Sequence, residues 1–325
     1  MVDPKKLIIL VGMPRSGTTW IGKLFDSHPD VLYLHEPDSI RPLNNILPLL
    51  PDKDYDANVT GELNEYLDGI LTACPIQCCA KLPIFPKHYR KRTENLLFKG
   101  RIYLNKLGES LLGRIRQIDV SSAVNSDTRI VWKSIESLGR VGSFIEGLKG
   151  CKAIVILRHP CGYVASVLRG EANRNFSDSC PSAEDWDLFE LLLNSAQARA
   201  LGLTMDDLRR LPPEARLTWK WIVFNEKALS FLEIEDRLTV VKYEDLCESP
   251  DVTCRLLFEW AGLSWNPQTE AFLSGTISKH DDGFYSVYRN PSLAARKWTE
   301  ELSDTQVKNV FSMLEKSRLS EYYRA

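Results

Sequence analysis

The 325-residue chain is long enough for one large domain or two ordinary ones, and 44% hydrophobic with 26% charged residues is the composition of a globular protein with an ample core. Its 41 Lys/Arg against 43 Asp/Glu leave a net charge of −2, which disfavours general nucleic-acid binding. No stretch approaches the roughly 20 apolar residues that span a bilayer, so no membrane span is expected. The eight cysteines form no paired C-x-x-C units, and the Cys74, Cys78, Cys79 group near His88 lacks zinc spacing, so no metal site is expected. Scattered thiols, and a Met1–Lys6 lead too short for a removable signal peptide, suggest a cytoplasmic protein. A lumenal catalytic domain without its anchor would look similar, and would admit a disulfide within 74–79 or to Cys180.

Leu7–Val11 is an unbroken aliphatic run, the pattern of a strand buried on both faces. It leads into Gly12-Met13-Pro14-Arg15-Ser16-Gly17-Thr18-Thr19-Trp20. The hydroxyl residues suit the N-cap of a helix opening at about Ser16 to Thr19 and running to Ser27. Strand, glycine loop and helix N-terminus together make an anion site, because the first amides of a helix have no intrahelical partner and its dipole favours negative charge. Gly12 and Gly17 stand five apart, as in a phosphate-binding P-loop, but Thr18 occupies the place of the Walker lysine. Arg15 is the one cation of the loop. A guanidinium, amides and hydroxyls suit a compact anion held without an obligatory metal.

Val31–Leu34 is a second strand, ending at His35-Glu36-Pro37. Residues 38–128, punctuated by prolines, read as a largely helical insertion that shapes an acceptor site, with helices at Glu62–Thr72 and about Arg92–Ile118. Between Lys81 and Arg116 ten Lys/Arg face two acids, a net +8 that leaves −10 on the rest of the chain. This is either a solvated helix face or a basic rim that attracts an anionic substrate or a lipid headgroup. Further strands are expected at Arg129–Lys133, Cys151–Leu157 and Leu238–Lys242. Helices are expected at Leu138–Leu148, from Cys161, at Asp185–Leu201, Pro213–Ile234, Pro250–Ala261 and Asp304–Lys316. The alternation implies an α/β fold, a mostly parallel central sheet with helices on both faces, in a single domain over 1–325. Ligand groups then come from loops at the carboxyl ends of strands, where the Arg15 loop, Glu36 and Arg158 all fall.

Arg158 with Ser166 is a second anion-binding element, a strand-end arginine and a hydroxyl from the following helix. Two such elements suit a nucleoside with phosphates at both ends. The chain here resembles the sulfotransferases that use 3′-phosphoadenosine 5′-phosphosulfate, whose fold is P-loop NTPase-like, and is nearest their carbohydrate and bacterial branch. Pro14-Arg15-Ser16-Gly17-Thr18-Thr19-Trp20 is similar to the family's 5′-phosphosulfate loop, and Arg158 through Ser166 to its 3′-phosphate motif. Lys242-Tyr243-Glu244-Asp245-Leu246 resembles an Arg-Tyr-Glu-Asp-Leu element, with lysine in place of arginine, and Arg296-Lys297-Trp298 resembles a late segment that closes over the nucleotide's phosphate. The resemblance implies sulfuryl transfer to a hydroxyl, of a glycan or glycolipid by the branch and the basic segment. It implies Glu36 as general base, with His35 the second candidate. Lys133 is either an ion-pair partner or a sulfate contact, and His159 and His280 are expected to be structural. Two other readings are a kinase or nucleotide hydrolase without the Walker lysine, and a nucleotide-binding relative without catalysis.

Overall fold

The computed structural model describes residues 2–53, 56–107, 117–173, 180–232, 236–278 and 295–323. The described strands are β1 (Leu7–Val11), β2 (Val31–His35), β3 (Cys74–Pro75), β4 (Gln117–Ile118), β5 (Arg129–Ser134), β6 (Lys152–Leu157) and β7 (Leu238–Lys242). Five of them form one sheet in the order β2-β5-β1-β6-β7, with every neighbouring pair parallel. Val11 lies opposite Ser134 on one side and Val155 on the other, His35 opposite Lys133, and Leu157 opposite Lys242. β2, β5 and β1 end within about one residue of each other, β6 and β7 run two residues further, and the loops that follow emerge along a single edge.

Side chains alternate across a strand, so each strand feeds two cores. Leu7, Ile9 and Val11 join one cluster, with Trp132, Val155 and helices Ala57–Thr72, Val141–Gly147, Pro160–Ala172 and Pro213–Leu229. Ile8 and Leu10 join the other, with Ile154, Ile156 and helices Thr18–Ser27, Pro250–Ala261 and Pro267–Ser278. Phe25 of the first of these helices stacks on Phe258 at 4.7 Å. This is the expected α/β sheet covered on both faces. The 57–72 part of the insertion shares the main core through Leu63, Leu67, Ile70 and Leu71.

Several boundaries differ from the sequence reading. The basic helix runs Arg92–Leu107, and Gln117–Ile118 is instead a strand paired antiparallel with Cys74–Pro75. A pairing partner some 40 residues upstream leaves no local mark in a basic, helix-forming stretch. The expected helix at 185–201 is two, Trp186–Leu193 and Ala196–Leu201, because the Ser195 hydroxyl accepts from the Ala198 amide and starts a new helix. Met205–Arg210 is a helix the sequence reading missed, opened by a capping box of Thr204 and Asp207. Pro213 opens a helix that ends at Leu229, and Leu138–Arg140 forms a tight turn ahead of Val141–Gly147. All eight cysteines are free thiols, so neither disulfide considered is formed. Among the described residues, no helix is long and apolar enough to cross a membrane.

Two buried polar nodes hold the loops of the carboxyl edge. Asp38 accepts from the Ser134 and Ser137 hydroxyls and from Trp132 Nε1 at 3.3 Å. Arg140 donates to the carbonyls of Leu47 and Pro48 at 3.1 Å and to Asn44 Oδ1 at 2.6 Å. Together they fasten residues 38–48 to the end of β5 and to the turn that follows it.

The approach of the first helix to β2 is equally tight. A Cβ on Gly22 would stand 2.4 Å from Tyr33 Oη and 2.9 Å from Cε2. Gly22→Ala is expected to destabilise by about 1–3 kcal/mol through overpacking. Adding Tyr33→Phe should restore only part of the loss, since the ring carbon contact persists. Urea unfolding of the two single variants and the double variant checks this.

Candidate active site

Along the carboxyl edge the strand order sets the order of the groups: Glu36 after β2, Lys133 at the end of β5, the Pro14–Thr19 loop after β1, Arg158 after β6 and Tyr243 after β7. Adjacent strands lie about 4.8 Å apart, so Glu36 and the loop are roughly 10 Å apart across β5.

The loop closes with Ser16 N donating to the Met13 carbonyl at 3.1 Å. Arg15 has φ +73° and Gly17 φ +89°, both in the left-handed region. The helix begins at Thr18 with Gly17 as N-cap and without a side-chain cap, so the expected hydroxyl cap is absent. The left-handed turn into the helix, and the Tyr243 ring 2.4 Å from where a Gly17 Cβ would stand, leave room for glycine alone. The first-turn amides of Thr18 and Thr19 thus face the loop with neither an intrahelical acceptor nor a capping side chain. Ser16 Oγ is buried without a hydrogen-bond partner among the described residues. Pro14 is exposed, Thr18 buried, and Trp20 is half-buried with Nε1 donating to Thr276 Oγ1 at 3.3 Å.

The two elements expected to bind anions meet. Arg15 Nε donates to the buried Ser166 Oγ at 3.1 Å, and Arg158 Nη1 donates to the Arg15 carbonyl at 2.5 Å. The Arg158 guanidinium lies over the Tyr243 ring at 4.8 Å. A Cβ on Gly162 would stand 3.0 Å from Arg158 Nε, so this glycine leaves the arginine its place. Glu244, next to Tyr243, accepts from the His159 amide at 3.0 Å and from the Tyr323 hydroxyl at 3.1 Å, and burial pushes its carboxyl up. Lys242 donates to the Tyr322 carbonyl at 3.1 Å.

The late basic segment is docked by its own Trp298 and by Glu301, to which the sequence reading gave no role. Trp298 stacks on His159 at 4.8 Å, nearly parallel, and Glu301 pairs with Arg169 of the helix that carries Ser166. Arg296 and Lys297 are exposed and pair with Glu248 at 3.3 Å and Glu301 at 3.7 Å. His159 also packs on Phe311 and Tyr323, and its Nδ1 accepts from the Cys161 amide, so it caps the helix from Pro160. His280 lies outside the described residues.

At the other end of the edge, Glu36 adopts φ +49°, rare for a residue with a side chain. Its amide donates to the Lys133 carbonyl at 2.8 Å, extending the β2–β5 pairing by one bond, while Asp38 anchors the chain just beyond. Lys133 Nζ donates to Glu36 Oε1, so this lysine is engaged as an ion-pair partner. Burial pushes the Lys133 ammonium down in pKa, with Glu36 pulling the other way. His35 is buried and shares a 2.8 Å hydrogen bond with Tyr33 Oη through Nδ1, and its Nε2 lies 3.9 Å from Glu36 Oε1. Burial first, then the cations Lys133, Lys81 and Lys23, drives its pKa down to about 2.

This is a phosphate-loop α/β architecture in which Thr18 stands where a Walker loop has lysine and Arg15 is the loop's cation. A model described as Sulfotransferase family matches residues 8–267, and the chain belongs to that family. Human carbohydrate sulfotransferase 3 aligns at 21% identity over 321 residues, covering 92% of this chain and 63% of that relative. The chain thus spans less than two thirds of the curated relative's length. The sulfotransferase domain of the Synechococcus PCC 7002 olefin synthase is 14% identical with a TM-score of 0.49, over 100% of this chain and 97% of that one. Mouse sulfotransferase SULT7A1, complexed with PAP, is 14% identical with a TM-score of 0.43, over 99% and 88%.

Three histidines are held neutral chiefly by burial: His28, His35 at about 2 and His159 at about 4. Their folded pKa values lie below the ordinary value, so on acidification the unfolded chain binds protons first. Stability is then lost progressively as pH falls below about 6.5. His35→Gln should flatten the decline between about pH 6.5 and 4.5 by roughly 2 kcal/mol. Urea midpoints across that range test this, and an unchanged slope would contradict it.

Proposed function

We propose that this protein transfers a sulfuryl group from 3′-phosphoadenosine 5′-phosphosulfate to a hydroxyl of a glycan or glycolipid, leaving 3′,5′-bisphosphoadenosine. The observation that carries the reading is the union of the two anion-binding elements through Arg15, Ser166 and Arg158, one strand from Lys133 and two from Glu36. The unpartnered Ser16 Oγ and the open first-turn amides fit a phosphate in the loop.

In this reading Pro14, Arg15, Ser16, Gly17, Thr18 and Thr19 hold the 5′-phosphosulfate, with Trp20 fixing the first helical turn. Arg15 and the helix N-terminus stabilise the charge that grows on the leaving phosphate. Arg158 and Ser166 hold the 3′-phosphate, Tyr243 supports Arg158, and Arg296 and Lys297 stand on the segment that covers it. Glu36 accepts the proton of the acceptor hydroxyl, and Lys133 holds the carboxylate in place beside the sulfuryl group. His35 serves poorly as a base, since an imidazole with a pKa of about 2 has little proton affinity at neutral pH. In-line transfer asks chiefly for positioning and charge stabilisation, the roles this reading gives to Arg15, Arg158 and the loop amides. The human carbohydrate relative and the +8 segment support a glycan-bearing acceptor.

Labelled-sulfate transfer over glycans, glycolipids and small alcohols tests both halves of this reading. Glu36→Gln is expected to retain 3′,5′-bisphosphoadenosine binding and to lower turnover by about 10²–10⁴. Undiminished turnover would remove Glu36 as the base, and labelling of small alcohols alone would remove the glycan.

A further inference from the structure

Helix Arg92–Leu107 turns the usual arrangement of a surface helix inside out. Its attached side is a narrow line at helical spacing, Asn95, Phe98 and Ile102. Ile102 is buried, and the Asn95 amide donates to the carbonyls of Lys87 and Arg90 at 2.9 and 3.0 Å. Phe98 lies 3.7 Å beneath the Arg90 guanidinium. At 100° per residue the opposite side carries Leu96, Leu97, Tyr103 and Leu104, which are 73%, 71%, 42% and 66% exposed. Gly100, in the middle of this stripe, has open space where a Cβ would stand.

Single exposed leucines are ordinary, but four large apolar side chains within a few turns of one helix make a patch. The other large exposed apolar residues among those described are Ile40, Leu191 and Ile277, each on its own element, and the pair Val252 and Leu256 on helix Pro250–Ala261, so no other element carries more than two. The stripe spans about 120° and has cations on both borders, Arg92 and Lys99 on one and Arg101 on the other, all exposed. The one acid of the helix, Glu94, faces back to accept from the Lys91 amide at 2.9 Å.

The geometry points to a peripheral membrane-docking helix that lies in the plane of an anionic lipid surface. The leucines enter the boundary of the acyl chains, while Arg92, Lys99 and Arg101 extend to the headgroups on either side. Charge selects this occupant. Arg92, Lys99 and Arg101 are exposed around the stripe and Glu94 is engaged by the Lys91 amide, in a chain whose net charge is −2, so an anionic surface attracts this face rather than the rest. A second copy would instead set like-charged borders against each other. The role is separate from the sulfuryl-transfer reading and stands or falls without it.

The test is co-sedimentation of the full chain with phosphatidylcholine vesicles, with and without about 30% phosphatidylserine. Partition is expected to be about tenfold or more stronger on the anionic vesicles and to weaken with added salt. Leu96→Ser, Leu97→Ser and Leu104→Ser combined, and Lys99→Glu with Arg101→Glu, should each reduce partition by about tenfold or more. Leu191→Ser, at an exposed leucine elsewhere, should leave it unchanged. Unaltered thermal midpoints check that the variants fold. Equal binding to both vesicles, no vesicle binding, or binding indifferent to the leucine substitutions would overturn the inference. So would a dimer in light scattering that the leucine substitutions dissociate, which would assign the stripe to a second copy.

Discussion

The hydrogen bond from Arg158 Nη1 to the Arg15 carbonyl ties the loop after β1 to the end of β6, and the bond from Arg15 Nε to Ser166 Oγ returns the tie from the other side. Charged donors make such bonds stronger than neutral ones. They hold Arg15 at a positive φ that a side-chain-bearing residue disfavours. Gly17 and Tyr243 close the same loop from beneath, and Gly162 leaves Arg158 its room. A loop braced in this way is set before any ligand arrives, which suits transfer chemistry that works by positioning.

The second constraint lies two strands away. Glu36 is also left-handed, and it is also held by partners from a neighbouring strand, through the Lys133 carbonyl and ammonium and the Asp38 clasp. Strained positions of this kind persist only where their surroundings fix them. Among the described residues, the two with side chains at positive φ are Arg15 and Glu36, the two that head the proposed roles of anion binding and proton acceptance. The strand order of the parallel sheet, with β5 between β1 and β2, sets the spacing between them, so fold and site share one origin.

Much of this was legible in the chain because it is local. Leu7–Val11 is aliphatic on both faces, and the glycine loop and the Arg158 strand end follow from runs of adjacent residues. The contact between Arg15 and Ser166 joins positions 151 apart, and no local pattern announces it. The same holds for Trp298 on His159 and for Asp38 on Ser134 and Ser137. The hydroxyl N-cap expected from Ser16 to Thr19 failed for a related reason. Tyr243, far along the chain, packs where a cap's Cβ would be, and it leaves the hydroxyls and amides to the loop. The 92–118 segment shows the limit of periodicity, since β4 is defined by its partner at Cys74–Pro75 rather than by its own residues.

The claim at the centre is that two braced arginine motifs hold a nucleoside bisphosphate without a divalent ion. Calorimetric titration of 3′,5′-bisphosphoadenosine in the presence of a chelator measures it directly. The account predicts binding to the unaltered protein, weakened by about tenfold or more in both Arg15→Ala and Arg158→Ala. Binding that requires added Mg²⁺, or that neither substitution weakens, would contradict it.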